Sequence, residues 1–255
     1  MDFTVNTYKN LLTVLQMQGY SFQTFENFIV SDDERKTIVL RHDVDRLPEN
    51  AIRMARLEHD MGVNASYFFR IVPQAWNSDI IKEIVDLGHE VAYHYEDLTI
   101  ARGKYELAIQ HFEKQLANIR KFYPSITICM HGSPMSRWDN RELWKKYDYR
   151  DYGIIAEPYF DVDYSKVFYI TDTGRSWNNE SVSLRDTVNS DFNIEIRNTG
   201  HMIQLIETGR MPDKIMINTH PQRWFNPGFG WVKEFVLQNT KNVVKKLIIR
   251  NGYQT

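Results

Sequence analysis

A single cysteine, Cys129, is the only thiol in the 255-residue chain, so no internal disulfide is possible. Low-complexity linkers and internal repeats are also missing, and one large α/β domain spanning 1–255 is the expectation. Charge of one sign is scarce: the formal net charge is −2 and no window is a long Lys/Arg run, which argues against nucleic acid as a partner. No apolar run is long enough for a transmembrane segment. The start, MDFTVNTYKNLL, lacks the basic-then-apolar layout of a secretory signal, so the cytoplasm is the default location. What is present is ordinary globular material, 42% hydrophobic and 25% charged, with 13% aromatics that suit either a filled core or a groove stacking on flat ligands.

Hydrophobic periodicity predicts a helix over 5–18, where Leu11, Leu12, Val14 and Leu15 share a side and Gly19 stops the run. Lys36 to Arg41 (KTIVLR) reads as a buried strand that breaks off into His-Asp-Val-Asp. Pro48 opens a helix closing at Gly62, and ASYFFR (65–70) is the next strand. A helix over 78–87, a strand over 90–94, a helix over 104–122 and a strand over 127–130 continue the alternation. Further strands are predicted near Ile154, at 167–171 and at 215–218. A helix over 231–250, including Val244 and Leu247 in its apolar set, ends at an Asn251-Gly252 cap. Strands alternating with helices imply a parallel sheet, open or closed into a distorted or incomplete (β/α) barrel with the first and last helices packed on it.

Four polar clusters follow predicted strands directly: His42-Asp43-Val44-Asp45, His94-Tyr95-Glu96-Asp97, His131-Gly132-Ser133-Pro134 and His220-Pro221. In parallel α/β architectures the carboxyl ends of strands converge on one face and build the site there. Any one such histidine can be structural; four together point to a site. Asp43 and Asp45, two apart on an extended segment, leave the chain on the same side and repel unless a cation or proton lies between them. A divalent ion answers that, zinc foremost, with cobalt, nickel or manganese as alternatives. A helix N-cap role is the other reading of Asp45, since Pro48 follows shortly.

The ordered motifs VLRHDVD, ASYFFR, GHEVAYH and a late strand ending in histidine resemble the NodB-homology polysaccharide deacetylases, over roughly 38–220. HGSPMSRWDN and TDTGRSW resemble more particularly the WbmS-like branch linked with surface-polysaccharide synthesis. The resemblance implies a metal-dependent hydrolase that removes an N-acetyl group from an amino sugar, the substrate being free, nucleotide-linked or lipid-linked. Within it Asp43 is the catalytic base and Asp45, displaced one position by Val44, a metal ligand. His94 is the first ligand of a His-x-x-x-His pair whose second position holds Leu98, which cannot bind a metal. His131 is the preferred replacement and Glu96 the alternative, while a role for His131 in supporting a ligand or touching the substrate stays open. His220 corresponds to the histidine that protonates the leaving amine, with Asp172 to orient it and Arg175 to tune Asp43, or else the two form a salt bridge.

Trp138, Trp177 and Trp224 each follow a cluster and suit either stacking on a sugar face or core packing. Cys129 reads as a small buried hydrophobe and His89 as structural, while solvated faces account for His59, His111 and His201. Two other functions compete: a carbohydrate-binding protein on a degenerate deacetylase scaffold, motivated by Leu98, and a barrel hydrolase acting on a non-sugar amide, cyclic ureide or ester.

Overall fold

Parallel strands buried on both faces are largely apolar, and the described residues supply six such strands and a shorter, half-buried seventh. The computed structural model describes residues 1–31, 35–177 and 185–250, with side chains as far as residue 243. The strands are β1 (Ser21–Gln23), β2 (Thr37–Val44), β3 (Ser66–Phe69), β4 (Glu90–Tyr95), β5 (Ile128–Met130), β6 (Phe168–Thr171) and β7 (Lys214–Thr219). They pair in the order β5-β4-β3-β2-β7-β6, with β1 beside the start of β2, and every pairing is parallel. The result is a curled, incomplete barrel: β5 and β6 are its edges, and among the described residues no ladder joins them.

The five predicted helices form within about three residues of their expected bounds, and shorter ones join them. They are α1 (Val5–Met17), α2 (Phe25–Val30), α3 (Pro48–Asp60), α4 (Ser78–Asp86), α5 (Asp97–Ile100), α6 (Tyr105–Ile119), α7 (Pro158–Asp161), α8 (Thr199–Glu207) and α9 (Phe229–Arg250). Local chemistry sets their starts. Thr4 caps α1 by accepting from the Thr7 N–H, and Asn77 caps α4 by accepting from Asp79 and Ile80. Leu47 and not Asp45 occupies the position before α3, and no side chain caps it, so the capping alternative for Asp45 is not realised. The predicted Asn251-Gly252 cap lies outside the described residues, as do the side chains of Val244 and Leu247.

Two strand expectations change. β2 does not break off at Arg41; it runs on through His42 and Asp43, because β3 and β7 flank it and their ladders continue to Val44 and His42 respectively. The strand expected near Ile154 is absent: one bridge, Thr127 to Ala156, is all that forms. Gly153 in the left-handed region (φ +71°) ends a 3₁₀ turn there, and Pro158 soon after lacks the N–H a ladder needs. The short β1, α2, α5 and α7 and the helix α8 escaped the sequence pattern.

Alternation along the strands separates two cores. One face sends Ile38, Leu40, Val44, Tyr67, Phe69, Val91, Tyr93, Tyr95, Ile215 and Ile217 out against the helices. The other sends Val39, Phe68, Ala92, Cys129, Tyr169 and Met216 inward, where Phe25 of α2 joins them. Polar residues at the strand ends stand above this inner layer. The α1 helix packs on α8, and α9 lies against the turn at 173–175.

Candidate active site

The same period-two rule that sorts the core selects the site. Arg41, Asp43 and Asp45 fall on the inner side of β2 and its extension, whereas His42 falls on the outer side. There His42 is fully buried, its Nδ1 2.6 Å from Thr219 Oγ1, its Nε2 2.9 Å from Glu58 and its ring stacked on Tyr67. The first cluster therefore contributes two aspartates and no histidine.

Asp45, His94 and His131 come together: their nearest ligand atoms all lie within 4.8 Å of one another. Asp45 Oδ1 is 3.6 Å from His94 Nε2 and 3.3 Å from His131 Nε2. That oxygen is buried and has no hydrogen-bond partner, a costly state unless something binds it. Each imidazole is held by its other nitrogen. His94 Nδ1 is 2.9 Å from the Cys129 carbonyl; His131 Nδ1 is 3.1 Å from Glu96 Oε2 and 3.0 Å from Ser133 Oγ. Such outer partners fix the tautomer and turn the Nε2 lone pairs inward, as at metal centres. Glu96 acts here as a support, gripped by Arg70 through two hydrogen bonds to Oε1. Burial opposes its charge, but His131 and Arg70 outweigh it and hold the carboxyl down to about 2. Two imidazoles and a carboxylate are a donor set that fits zinc or another first-row divalent ion.

Asp43 sits beside this centre with its charge already answered. Arg41, fully buried, donates through Nε to Oδ1 (3.1 Å) and through Nη2 to Oδ2 (2.9 Å), and Asn218 Nδ2 donates to Oδ2 at 3.0 Å. Burial would raise this carboxyl; Arg41, then His94 and His220, more than reverse that and keep it below the ordinary carboxylate range. Oδ1 carries one hydrogen bond and keeps a free lone pair. Cys129 is fully buried beside it, its Sγ within 4.8 Å of ligand atoms of Asp43 and His94, and burial pushes its thiol well above the usual value.

His220 faces the centre from β7, its Nε2 4.0 Å from Asp45 Oδ2. Asp172, at the end of β6, holds it twice: Oδ1 accepts from Nδ1 at 2.6 Å and Oδ2 from the backbone N–H at 3.1 Å. Arg223 Nη1 and Trp224 Nε1 also donate to Asp172, at 2.6 and 2.8 Å. With Nδ1 donating to the carboxylate, Nε2 is the nitrogen left for the cavity.

Several expected contributors do something else. Trp224 is fully buried with its N–H on Asp172, and Trp177 is buried against Phe3 with its N–H on Thr199, so neither has a face open to a sugar. Trp138 stands partly buried under the Arg137 guanidinium and outside the cavity wall. Arg175 does not tune Asp43: it turns away to the Trp231 carbonyl and lies over the Phe3, Trp231 and Phe235 rings. It makes no salt bridge with Asp172 either, which pairs with Arg223. Leu98 is core. His111 is not merely solvated, since Nδ1 is 2.5 Å from the buried Asp97. His89 is structural, bonded to the Ala55 carbonyl and the Ala65 N–H.

The structure adds residues that motif reading missed. Arg41 was visible in principle, two positions before Asp43 and hence on its face. Gln222 donates to Asp45 Oδ2 at 2.9 Å, which leaves Oδ1 toward the histidines. Asp186 collects hydrogen bonds from Thr171, Thr173 and Tyr159, and Arg185 pins the loop after His131 through the carbonyls of Gly132, Ser133 and Ser136. The cavity enclosed by these groups measures about 90 Å³, and a roomier groove of about 390 Å³ adjoins it, sharing Asp45, His131, Pro134 and Arg223 as walls.

Fold and site together define a curled parallel α/β barrel with a carboxylate–imidazole centre at the strand carboxyl ends. Compared with solved structures, the chain is similar to a family 4 carbohydrate esterase from Bacillus anthracis, at 11% identity and TM-score 0.44, over 91% of this chain and 85% of that one. It is similar also to a Streptococcus mutans CE4 esterase, at 13% identity and TM-score 0.45, over 94% and 92%. A third likeness is to a CE4 family pseudoenzyme from Bacillus anthracis, at 13% identity and TM-score 0.44, over 83% and 62%. No family model and no curated protein matches the chain.

Proposed function

We propose that this chain is a metal-dependent hydrolase that removes the acetyl group from an N-acetylated amino sugar, in the surface-polysaccharide setting that its WbmS-like motifs suggest. The observation that carries the reading is the orphaned Asp45 Oδ1 facing two Nε2 atoms, with a tethered carboxylate on one side and a carboxylate-bound imidazole on the other. Asp45, His94 and His131 would hold the ion. A divalent ion held there supplies Lewis-acid polarisation of an amide carbonyl and acidifies water.

The remaining steps belong to side chains. Asp43, ionised and fixed by Arg41 and Asn218, takes the proton of the attacking water on its free Oδ1 lone pair. His220 donates from Nε2 to the departing nitrogen, while Asp172 keeps the ring oriented and offsets the imidazolium charge. The small cavity suits an acetyl group, and the adjoining groove suits the ring that carries it. Acetate release from N-acetylated sugar oligomers, with zinc supplied, tests the proposal: Asp43→Asn should lower the rate by about 10² to 10⁴. Undiminished release by that variant would remove the reading.

Leu98 at the usual ligand position favours a second reading, a carbohydrate-binding protein without chemistry. Titration with zinc, cobalt and nickel separates the two, since that reading requires no metal to bind.

A further inference from the structure

Helix α9 is built the wrong way round for a helix of a globular surface. Its inward residues are polar: Glu234 is 3% exposed and Gln238 6%. Its exposed residues include an apolar stripe beside the polar Lys233, Asn239 and Thr240: Phe229 is 83% exposed, Val236 56% and Val243 59%, with Val232 and Leu237 also open. An amphipathic helix ordinarily does the opposite, and a contiguous exposed apolar stripe marks a surface that meets something else. The inward side is anchored by specific bonds. Arg46 donates to Glu234 at 2.6 Å, Asn242 to the Gly174 carbonyl at 2.8 Å and the Trp231 indole to the Asp2 carbonyl at 2.8 Å. The apolar side is therefore held outward.

Charge identifies the partner. Residues 229–250 contain Lys233, Lys241, Lys245, Lys246 and Arg250 against one carboxylate, Glu234, which is already paired inward with Arg46. In a chain of net charge −2 this is a local concentration of positive charge. A second copy of the same helix would bring like charges together; an anionic lipid surface would not. Among the described residues no helix is long and apolar enough to cross a membrane. We propose that α9 docks the protein flat on an anionic phospholipid surface, its Phe229, Val232, Val236 and Val243 stripe entering the headgroup boundary and the exposed Lys233 beside the stripe meeting lipid phosphates. Gln238 and Lys241, on the opposite side of the same helix, line the groove beside the candidate active site, so docking would set that groove behind the helix and one helix width from the lipid. The proposal stands whether or not the site hydrolyses an amide.

Co-sedimentation of the full chain with vesicles tests it. Binding is expected to phosphatidylcholine vesicles containing 30% phosphatidylglycerol, to be weak on phosphatidylcholine alone, and to fall in high salt. Lys233→Gln should weaken partitioning about fivefold. Val232→Ser with Val236→Ser should abolish it while the circular dichroism is unchanged, because both positions are exposed. Lys114→Gln, on the outer face of α6, should have no effect. Equal binding to both vesicle types, an equal loss with Lys114→Gln, or a dimer in sedimentation that Val236→Ser dissolves without any vesicle binding would each overturn the proposal.

Discussion

Replacing His131 by leucine asks directly whether the metal centre uses this residue in place of the one at the Leu98 position. The substitution removes one of three donors but leaves the loop's anchors: the His131 N–H donates to the Tyr95 carbonyl and Asn140 donates to the His131 carbonyl, both at 2.8 Å. Fold loss is therefore not expected. Removing only a support of a ligating histidine costs about 10- to 100-fold in metal affinity, which is the expectation for Glu96→Gln. Losing the ligand itself should exceed that, so His131→Leu should weaken zinc binding by more than about 100-fold in a chelator competition. Leu98→His should not restore it. Leu98 is 1% exposed in the helix-side core, and an imidazole there would be desolvated without a partner and far from turning toward Asp45. If His131→Leu binds zinc as the parent does, or if the double variant recovers, the ligand assignment is wrong.

Other expectations follow from the same geometry. Arg41→Met leaves the Asp43 charge buried and unpaired, which should cost about 3 to 5 kcal/mol in chemical denaturation at neutral pH; a loss below about 1 kcal/mol would contradict the pairing described. Asp172→Asn should lower the turnover number far more than it raises KM, since it disturbs the tautomer of His220 and not the groove. Glu90 is buried among Ser66, Thr127 and the Glu26 N–H, and burial raises it to about 7. A carboxyl whose folded value lies above its unfolded one, about 4.3, stabilises the fold most when protonated in both states. Stability should thus decline as pH rises from about 4.5 to 7, and Glu90→Gln should flatten that slope in denaturation curves.

Much of this site was legible because it obeys two simple periodicities. Strand alternation put Asp43 and Asp45 on one side, and the rule that strand carboxyl ends converge brought His94, His131 and His220 to them. The same alternation placed Arg41 there too; it went unread because an arginine inside a hydrophobic run looks like the end of a strand. For Trp177 and Trp224 the sequence left sugar stacking and core packing side by side, and burial selects packing, whereas Arg175 takes up neither of the roles read for it. Their position after a cluster fixes where the backbone is, while the direction of a side chain is decided by packing partners distant in sequence, such as Phe3 and Thr199. Gln222 and Arg185 carry no motif, and their roles arise only once separate loops meet.

The adjacent placement of His42 and Asp43 on opposite faces of β2 has a consequence for assembly of the sheet. A slip of one residue in pairing would carry Arg41 and Asp43 into the aliphatic layer beneath the helices and deliver His42 and Val44 to the cavity. Glu58, with Tyr8 and Tyr67 already donating to it, would lose its imidazole at the same moment. Misaligned chains would therefore strand several charges at once, so the polar residues of this strand act as alignment marks for the central strand of the sheet.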